Sequence, residues 1–168
     1  MLVIGHRGAS GYVAENTLES IQKALDLNVD GIEIDVQRCA SGEIVVFHDK
    51  ELDRLTNRKG LIEKTNFDEL STILIKEKYK IPTLEEVLKL IDGKILLNIE
   101  LKGENTAIET ASILEKHIRK TKSDLKKFIV SSMDWEELTL FKNTNKHIPI
   151  GILSNAHFIF ENNVLDQA

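Results

Sequence analysis

The stretch Gly31-Ile-Glu-Ile-Asp-Val-Gln37 decides the fold, because its side chains alternate as they do in a β-strand. The apolar side chains fall on one face, and the carboxylates of Glu33 and Asp35 fall on the other. A strand that is covered by helices is normally apolar on both faces. The acidic face therefore indicates a strand that contributes to a functional site as well as to packing.

A second stretch, Lys94-Ile-Leu-Leu-Asn-Ile-Glu-Leu-Lys102, shows the same alternation. It places Asn98, Glu100 and Lys102 on one face. In both stretches the polar side chains accumulate toward the C-terminal end of the strand. Parallel α/β sheets and barrels place their active sites at that end, so both stretches are predicted to contribute to one site.

We expect Glu33, Asp35 and Glu100 to bind one divalent cation together. Three buried, unpaired carboxylates repel one another at a considerable cost in free energy, which a cation removes. Carboxylate oxygens are hard ligands, and the single cysteine, Cys39, provides no thiolate pair, so Mg²⁺ or Ca²⁺ is predicted. The alternative is that one or two of these carboxylates lie on the solvated face of an antiparallel sheet.

Length and composition predict one soluble globular domain. The chain has 168 residues, of which 42% are hydrophobic and 29% charged. A net charge of −5 without a basic tract argues against nucleic-acid binding. No apolar run approaches the ~20 residues that span a bilayer, so stable membrane insertion is not expected. A lone cysteine and the lack of a secretory signal favour a cytoplasmic location.

The first half of the chain predicts a strand, a helix, a second strand and a short returning strand. The apolar run 2–5 indicates the first strand, and Asn16 is predicted to cap a helix with Glu19 three residues on. A strand at 44–47 is expected to return along Val36 and to bring His48 over the mouth of the sheet. Residues 49–80 are interpreted as an insertion, with a helix at Phe67–Ile75.

The second half continues the alternation of helices and strands. Helices are predicted at 83–92, 107–118 and 134–141, and strands at 94–102, 128–132 and 148–153. This gives five strands in a parallel arrangement, and residues 155–168 are too few for three more strand–helix units. Because a closed barrel needs eight strands, the sheet is either open or the first part of a barrel.

The ordered motifs of the chain resemble those of the glycerophosphodiester phosphodiesterases over about residues 3–153. The main motifs are His6-Arg7-Gly8, Glu15-Asn16-Thr17, Glu33-x-Asp35, Val46-Phe47-His48-Asp49 and Asn98-x-Glu100-x-Lys102. Three further stretches also resemble the family: Leu52-Asp-Arg-Leu-Thr56, Gly60 and Pro82-Thr83-Leu84.

The resemblance implies a TIM (β/α)8-barrel with a small insertion after His48. It also implies metal-dependent hydrolysis of glycerophosphodiesters to glycerol 3-phosphate and an alcohol, as part of glycerophospholipid breakdown. The site residues implied by position are the metal ligands Glu33, Asp35 and Glu100, the catalytic histidines His6 and His48, and the substrate-binding residues Arg7 and Lys102.

Elementary chemistry is consistent with these roles. The guanidinium of Arg7 is a planar fork that matches phosphate oxygens, and the ammonium of Lys102 is a point charge. His6 and His48 can share the base and acid roles near neutral pH, in either assignment. The alternative for Lys102 is that it only neutralises Glu100.

The predicted architecture departs from the family after the fifth strand. Family members continue through three more strands, so residues 1–168 are expected to form an incomplete barrel whose open sheet edges favour self-association. Two alternatives to the diesterase function stay open. One is a non-catalytic remnant that binds metal or phosphate weakly, and the other is a phospholipase D-like activity on lipid headgroups.

Overall fold

The structure is a computed structural model that describes residues 1–154. Its strands are β1 (Ile4–His6), β2 (Gly31–Arg38), β3 (Ile44–Val46), β4 (Leu74–Ile75), β5 (Tyr79–Lys80), β6 (Leu96–Leu101), β7 (Phe128–Ser132) and β8 (Ile150–Ile152). Its α-helices are α1 (Leu18–Asp26), α2 (Phe67–Leu70), α3 (Leu84–Ile91), α4 (Ala107–Thr121) and α5 (Trp135–Thr144). The tail at 155–168, for which no further strand–helix units are expected, lies outside the described residues.

Five parallel strands form the main sheet in the order β1-β2-β6-β7-β8. The register places Asp35 of β2 beside Glu100 of β6. Strand β3 pairs with β2 in the antiparallel direction, with Val46 beside Val36. The returning strand that the sequence predicts is therefore present, and it ends beside Val36, the residue that follows Asp35.

The apolar face of the sheet packs against a layer of helices. Its central side chains, Ile32, Ile34 and Ile99, are completely buried. The helices α1, α3, α4 and α5 cover this face, and each packs against the next in the layer. This core fixes the strands from one side, which leaves the opposite face of β2 and β6 free for polar side chains.

Residues 49–80 form an insertion with an apolar cluster of its own. Leu52, Leu55 and Ile62 are buried against Phe47, which follows β3 directly. The cluster anchors the insertion to the end of the returning strand. The insertion therefore lies beside His48.

The helix predicted at Phe67–Ile75 is wrong beyond its first turn. Only α2, four residues long, is helical, and β4 then pairs with β5. Ile73 and Ile75 are buried whereas Leu74 is exposed, which is the period of two that a strand requires. Apolar residues at this short spacing could not distinguish one turn of helix followed by a strand from a continuous helix.

The cap of α1 also differs from its prediction. The N-cap is Thr17, whose side chain accepts from the Ser20 N–H while the Ser20 hydroxyl binds the Thr17 N–H. Asn16 lies one residue earlier and has a φ of 56°. Its side-chain amide donates to Asp35 and does not cap the helix. The helix predicted at 83–92 is confirmed as α3, and Thr83 caps it in a capping box with Glu86 as its partner.

Candidate active site

Three carboxylates meet at the C-terminal end of β2 and β6. One oxygen each from Glu33, Asp35 and Glu100 can be chosen so that all three lie within 4.8 Å of one another. Glu33 and Asp35 are only 7% and 1% exposed. The alternation of the two strands predicts this convergence, and the parallel register produces it.

The carboxylate of Glu33 lies in an unfavourable electrostatic environment. Burial, followed by the neighbouring charge of Asp35, raises its pKa to about 7. Glu33 Oε1 and Asp35 Oδ1 are buried without a hydrogen-bond partner among residues 1–154. Unpaired buried oxygens are costly, and a hard divalent cation is the ligand that would satisfy them. The chemistry of this set of donors therefore fits a metal ion.

Asp35 is held in place by two neighbours from the β1–α1 loop. The side-chain amide of Asn16 donates to Asp35 Oδ2 over 2.8 Å, and the Asp35 N–H donates to Asn16 Oδ1 over 3.3 Å. Arg7 Nε lies 3.2 Å from the same Oδ2. Asn16 is completely buried in a left-handed conformation that asparagine tolerates better than most residues. Sequence reasoning interpreted it as a helix cap and so missed this function.

Arg7 and Lys102 surround the acidic cluster with positive charge. The Arg7 backbone N–H donates to Glu33 Oε2 over 2.9 Å, and its Nη1 donates to Glu15 Oε1 over 2.7 Å. Lys102 Nζ lies 3.0 Å from Glu100 Oε1. The pairing of Lys102 with Glu100, which the sequence left open as an alternative, is thus observed.

The two histidines lie at the same end of the sheet but differ in environment. His6 ends β1, its side chain is 67% exposed, and its Nε2 lies 3.8 Å from Glu33 Oε2. His48 is half-buried, and its Nδ1 lies 2.5 Å from Asp49 Oδ1. A bond at Nδ1 leaves Nε2 as the nitrogen that can meet a substrate.

The backbone around His48 is fixed by Gln37, the last polar residue on the acidic face of β2. Its side-chain amide donates to the carbonyls of Phe47 and Asp49, over 2.9 and 2.7 Å. The Phe47 N–H in turn donates to the carbonyl of Asp35 over 3.0 Å. Gln37 therefore binds the residues on both sides of His48. Its place on the polar face of β2 was the feature of the sequence that could have indicated this contact.

A groove of about 740 Å³ opens beside His48. Its lining is His48, Asp49, Lys50, Glu51, Asp53, Arg54 and Lys102. The insertion supplies most of these residues, and both signs of charge are present. Such a surface suits a small, charged ligand better than an apolar one.

His48 is linked to the carboxylate cluster through a chain of charged side chains. Asp49 and Glu15 both accept hydrogen bonds from Arg54, and Glu15 also accepts from Arg7 beside Asp35. Sequence reasoning assigned no role to Glu15, Asp49 or Arg54. Their opposite charges were visible, but nothing in the sequence indicates which distant charges are neighbours.

Residues 6–159 match the model of the glycerophosphoryl diester phosphodiesterase family. The chain is 38% identical over 162 residues to the glycerophosphodiester phosphodiesterase of Caldanaerobacter subterraneus subsp. tengcongensis, covering 90% of this chain and 66% of that protein. It is 34% identical over 167 residues to the glycerophosphodiester phosphodiesterase of Bacillus altitudinis, with coverages of 90% and 66%. The chain thus spans about two thirds of the length of these curated relatives.

Solved structures show the same relationship. A phosphodiesterase from Oleispira antarctica, in complex with the product sn-glycerol-3-phosphate, matches with a TM-score of 0.81 and 31% identity over 99% of this chain and 72% of that chain. The glycerophosphodiester phosphodiesterase from Thermotoga maritima matches with a TM-score of 0.76 and 31% identity, over 99% and 69%. The predicted TIM-barrel fold class is confirmed, with five of the parallel strands present in residues 1–154. Within the same residues, none of the helices has the length and apolar character that crossing a membrane requires.

Proposed function

The chain belongs to the glycerophosphoryl diester phosphodiesterase family, and from this premise we propose that it hydrolyses glycerophosphodiesters to glycerol 3-phosphate and an alcohol, as part of glycerophospholipid breakdown. One divalent cation, either Mg²⁺ or Ca²⁺, would be held by Glu33, Asp35 and Glu100. The observation that supports this proposal is the convergence of three carboxylates, two of whose buried oxygens have no hydrogen-bond partner in the part of the chain that the structure describes.

Arg7 and Lys102 are proposed to bind the phosphate of the substrate. When bound, the cation would polarise the phosphoryl oxygens. The guanidinium of Arg7 is already oriented by Glu15 and lies beside Asp35, so it can meet a phosphate oxygen with little rearrangement. Lys102 adds a positive charge on the other side of the cluster, where it contacts Glu100.

His6 and His48 are proposed to transfer the protons of the reaction. One accepts a proton from the nucleophile, and the other donates a proton to the leaving alkoxide oxygen. Asp49 binds Nδ1 of His48 and so favours Nε2 as the reactive nitrogen. His6 lies beside Glu33 with its side chain largely accessible to a ligand.

The proposal includes a small-molecule substrate, no nucleic-acid partner and self-association through the sheet edges. The net charge of −5 supports the second of these. A cytoplasmic location remains a prediction that rests on the lone cysteine, and subcellular fractionation of the native host would test it.

The release of glycerol 3-phosphate from glycerophosphocholine by the purified chain tests the main proposal. Activity should disappear with a chelator and return with Mg²⁺ or Ca²⁺. Glu100→Gln should abolish the activity, whereas Glu104→Gln, a change of an exposed glutamate four residues on, should leave it intact. If neither ion supports release, the diesterase proposal is wrong for this chain.

The same experiment separates the alternatives. Metal binding by calorimetry without turnover would favour the non-catalytic remnant. Release of the headgroup from intact phospholipid, without release of glycerol 3-phosphate from glycerophosphocholine, would favour the phospholipase D-like activity.

A further inference from the structure

We propose that Arg54 is a positioning residue that is anchored on Glu15 of the β1–α1 loop and fixes Asp49, and through Asp49 the ring of His48, an inference that rests on the proposed function. Arg54 donates to both oxygens of Asp49, from Nε over 2.5 Å and from Nη2 over 3.0 Å. It also donates to both oxygens of Glu15, from Nη1 over 2.9 Å and from Nη2 over 2.7 Å. One guanidinium thus joins two segments that lie 34 residues apart.

The insertion presents Arg54 on a well-anchored turn. Its neighbours Leu52 and Leu55 are buried in the apolar cluster of the insertion. The Leu52 N–H donates to the carbonyl of Gly60, and the carbonyl of Leu52 accepts from the N–H of Thr56. The turn is fixed on both sides, so the position of the guanidinium is set by the packed core of the insertion.

The two carboxylates that Arg54 binds each hold a residue of the proposed mechanism. Asp49 Oδ1 lies 2.5 Å from His48 Nδ1, and Glu15 Oε1 lies 2.7 Å from Arg7 Nη1. Hydrogen bonds from Arg54 are the largest cause that lowers the pKa of both Glu15 and Asp49 to about 2. Both carboxylates are therefore ionised at neutral pH and able to act as acceptors.

The geometry favours positioning over direct substrate binding. A guanidinium has five N–H donors, and the contacts with Asp49 and Glu15 occupy four of them. Arg54 is also 46% exposed, and exposed ion pairs contribute little to the free energy of unfolding. The bidentate hydrogen bonds of Arg54 instead fix the orientation of Asp49 and Glu15, because they restrict the planes of both carboxylates.

The test compares Arg54→Met and Arg54→Lys with Arg58→Met, which changes an exposed arginine of the same insertion. Long-range ¹H–¹⁵N spectra show which nitrogen of the neutral His48 ring carries the proton. The wild type and Arg58→Met should carry it on Nδ1, bonded to Asp49. In Arg54→Met the carboxylate is released, and the Nε2–H tautomer should become populated.

Kinetics on glycerophosphocholine provide the second measurement. Arg54→Met should lower kcat by ~10-fold or more, since a general acid or base contributes ~10²–10⁴-fold when correctly oriented. KM should change by less than ~3-fold because Arg7 keeps its contact with Glu15 and its place beside Asp35. Arg54→Lys, which keeps the charge but not the fork, should recover part of kcat.

A His48 ring that keeps the Nδ1–H tautomer in both Arg54 variants would overturn the inference, whatever the activity. If Arg54→Met fails to fold, Arg54→Lys decides by the same spectra. A wild-type chain that releases no glycerol 3-phosphate would refute the proposed function, while the tautomer of His48 would still show whether Arg54 positions this ring.

Discussion

Glu33 is the residue whose negative charge is most strongly opposed by its surroundings. Its carboxylate lies next to Asp35 and near Glu100, and its pKa is raised to about 7 from an ordinary value of 4.5. Between these pH values the folded chain holds a proton that the unfolded chain has released. This contribution to the free energy of unfolding is complete below pH 4.5 and is lost as the pH rises through about 7.

We therefore expect Glu33→Gln to stabilise the metal-free protein at pH 8 but not at pH 4. The difference in the free energy of unfolding should be on the order of 3 kcal/mol at pH 8, since each unit of pKa shift corresponds to ~1.4 kcal/mol. Gln keeps an oxygen for the Arg7 N–H. Urea unfolding in a chelator measures the difference, and Glu104→Gln is the matched control.

Addition of Mg²⁺ or Ca²⁺ should make the wild type more stable to unfolding than Glu33→Gln, which reverses the order expected without metal. A ligand that binds only the folded state stabilises it in proportion to the logarithm of its concentration. The wild type should gain this stabilisation, and Glu33→Gln should gain much less. An advantage of Glu33→Gln that is equal at both pH values would contradict the electrostatic account.

Replacement of Asn16 should mainly weaken the binding of the divalent cation. We expect Asn16→Ala to weaken the binding of a divalent cation by ~10–100-fold, because the groups that orient a ligand tune its affinity to this extent. Asn16→Gly should weaken binding equally but unfold less readily, since glycine avoids the strain of a φ of 56°. Calorimetric titration and urea unfolding separate the two effects. Unchanged cation affinity in both variants would show that Asp35 needs no such support.

The acidic residues of the site could be predicted from the sequence, whereas the residues that hold the site in place could not. Glu33, Asp35 and Glu100 follow from alternation, which fixes the face of a strand without knowledge of its neighbours. Asn16 and Thr17 are both good helix caps, and the choice between them is made by Asp35, which takes the amide of Asn16. The link between Arg54 and Glu15 spans 39 residues and depends on the packing of the insertion.

At the scale of elements, helix α4 begins on a cap that comes from another helix. The side chain of Thr106, at the N-cap, makes no capping hydrogen bond to the helix. Instead, the carboxylate of Glu137 in α5 accepts the N–H groups of Asn105, Thr106 and Ala107 over 2.7, 3.0 and 2.8 Å. Glu137 thus joins α4 to α5 behind the loop that follows Lys102.

We expect Glu137→Ala to lower the free energy of unfolding by about 2 kcal/mol or more, because three N–H groups, two of them in buried hydrogen bonds, lose a charged acceptor. Glu136→Ala, at the exposed neighbouring position, should cost less than about 1 kcal/mol. Urea unfolding of the two variants provides the comparison. Equal losses would indicate that the charge near the start of α5, rather than the cap of α4, is what matters.

Element prediction succeeded where one period governed a long stretch and failed where elements were short. β2, α3 and β7 lie close to their expected positions, since each has a clear apolar face. The segment from Phe67 to Ile75 combines one helical turn with a two-residue strand, and no period can be recognised over so few residues. The pairing of β4 with β5 depends on the tertiary structure of the insertion.

At the scale of the whole molecule, two of the five parallel strands in residues 1–154 are paired on one side only. These are β1 and β8, which bond to β2 and β7. Exposed apolar side chains lie on or next to them, with Val3, the residue before β1, 52% exposed and Ile152 of β8 39% exposed. Unpaired edges that carry apolar residues are templates for pairing with another chain.

The purified chain is therefore expected to self-associate with rising concentration, and a charge on an edge should reduce this. Val3→Lys and Ile152→Lys place a strongly hydrated ammonium at β1 or β8, which is how natural edge strands avoid pairing. Tyr12→Lys changes an exposed apolar residue in the β1–α1 loop and serves as the control. Sedimentation velocity over a hundredfold range of concentration measures the mass.

Because His6 ends β1, pairing at that edge should also reduce the rate of glycerophosphocholine hydrolysis per chain, and Val3→Lys should restore it at high concentration. A wild type that stays monomeric with a constant rate per chain would show that these edges are shielded in solution.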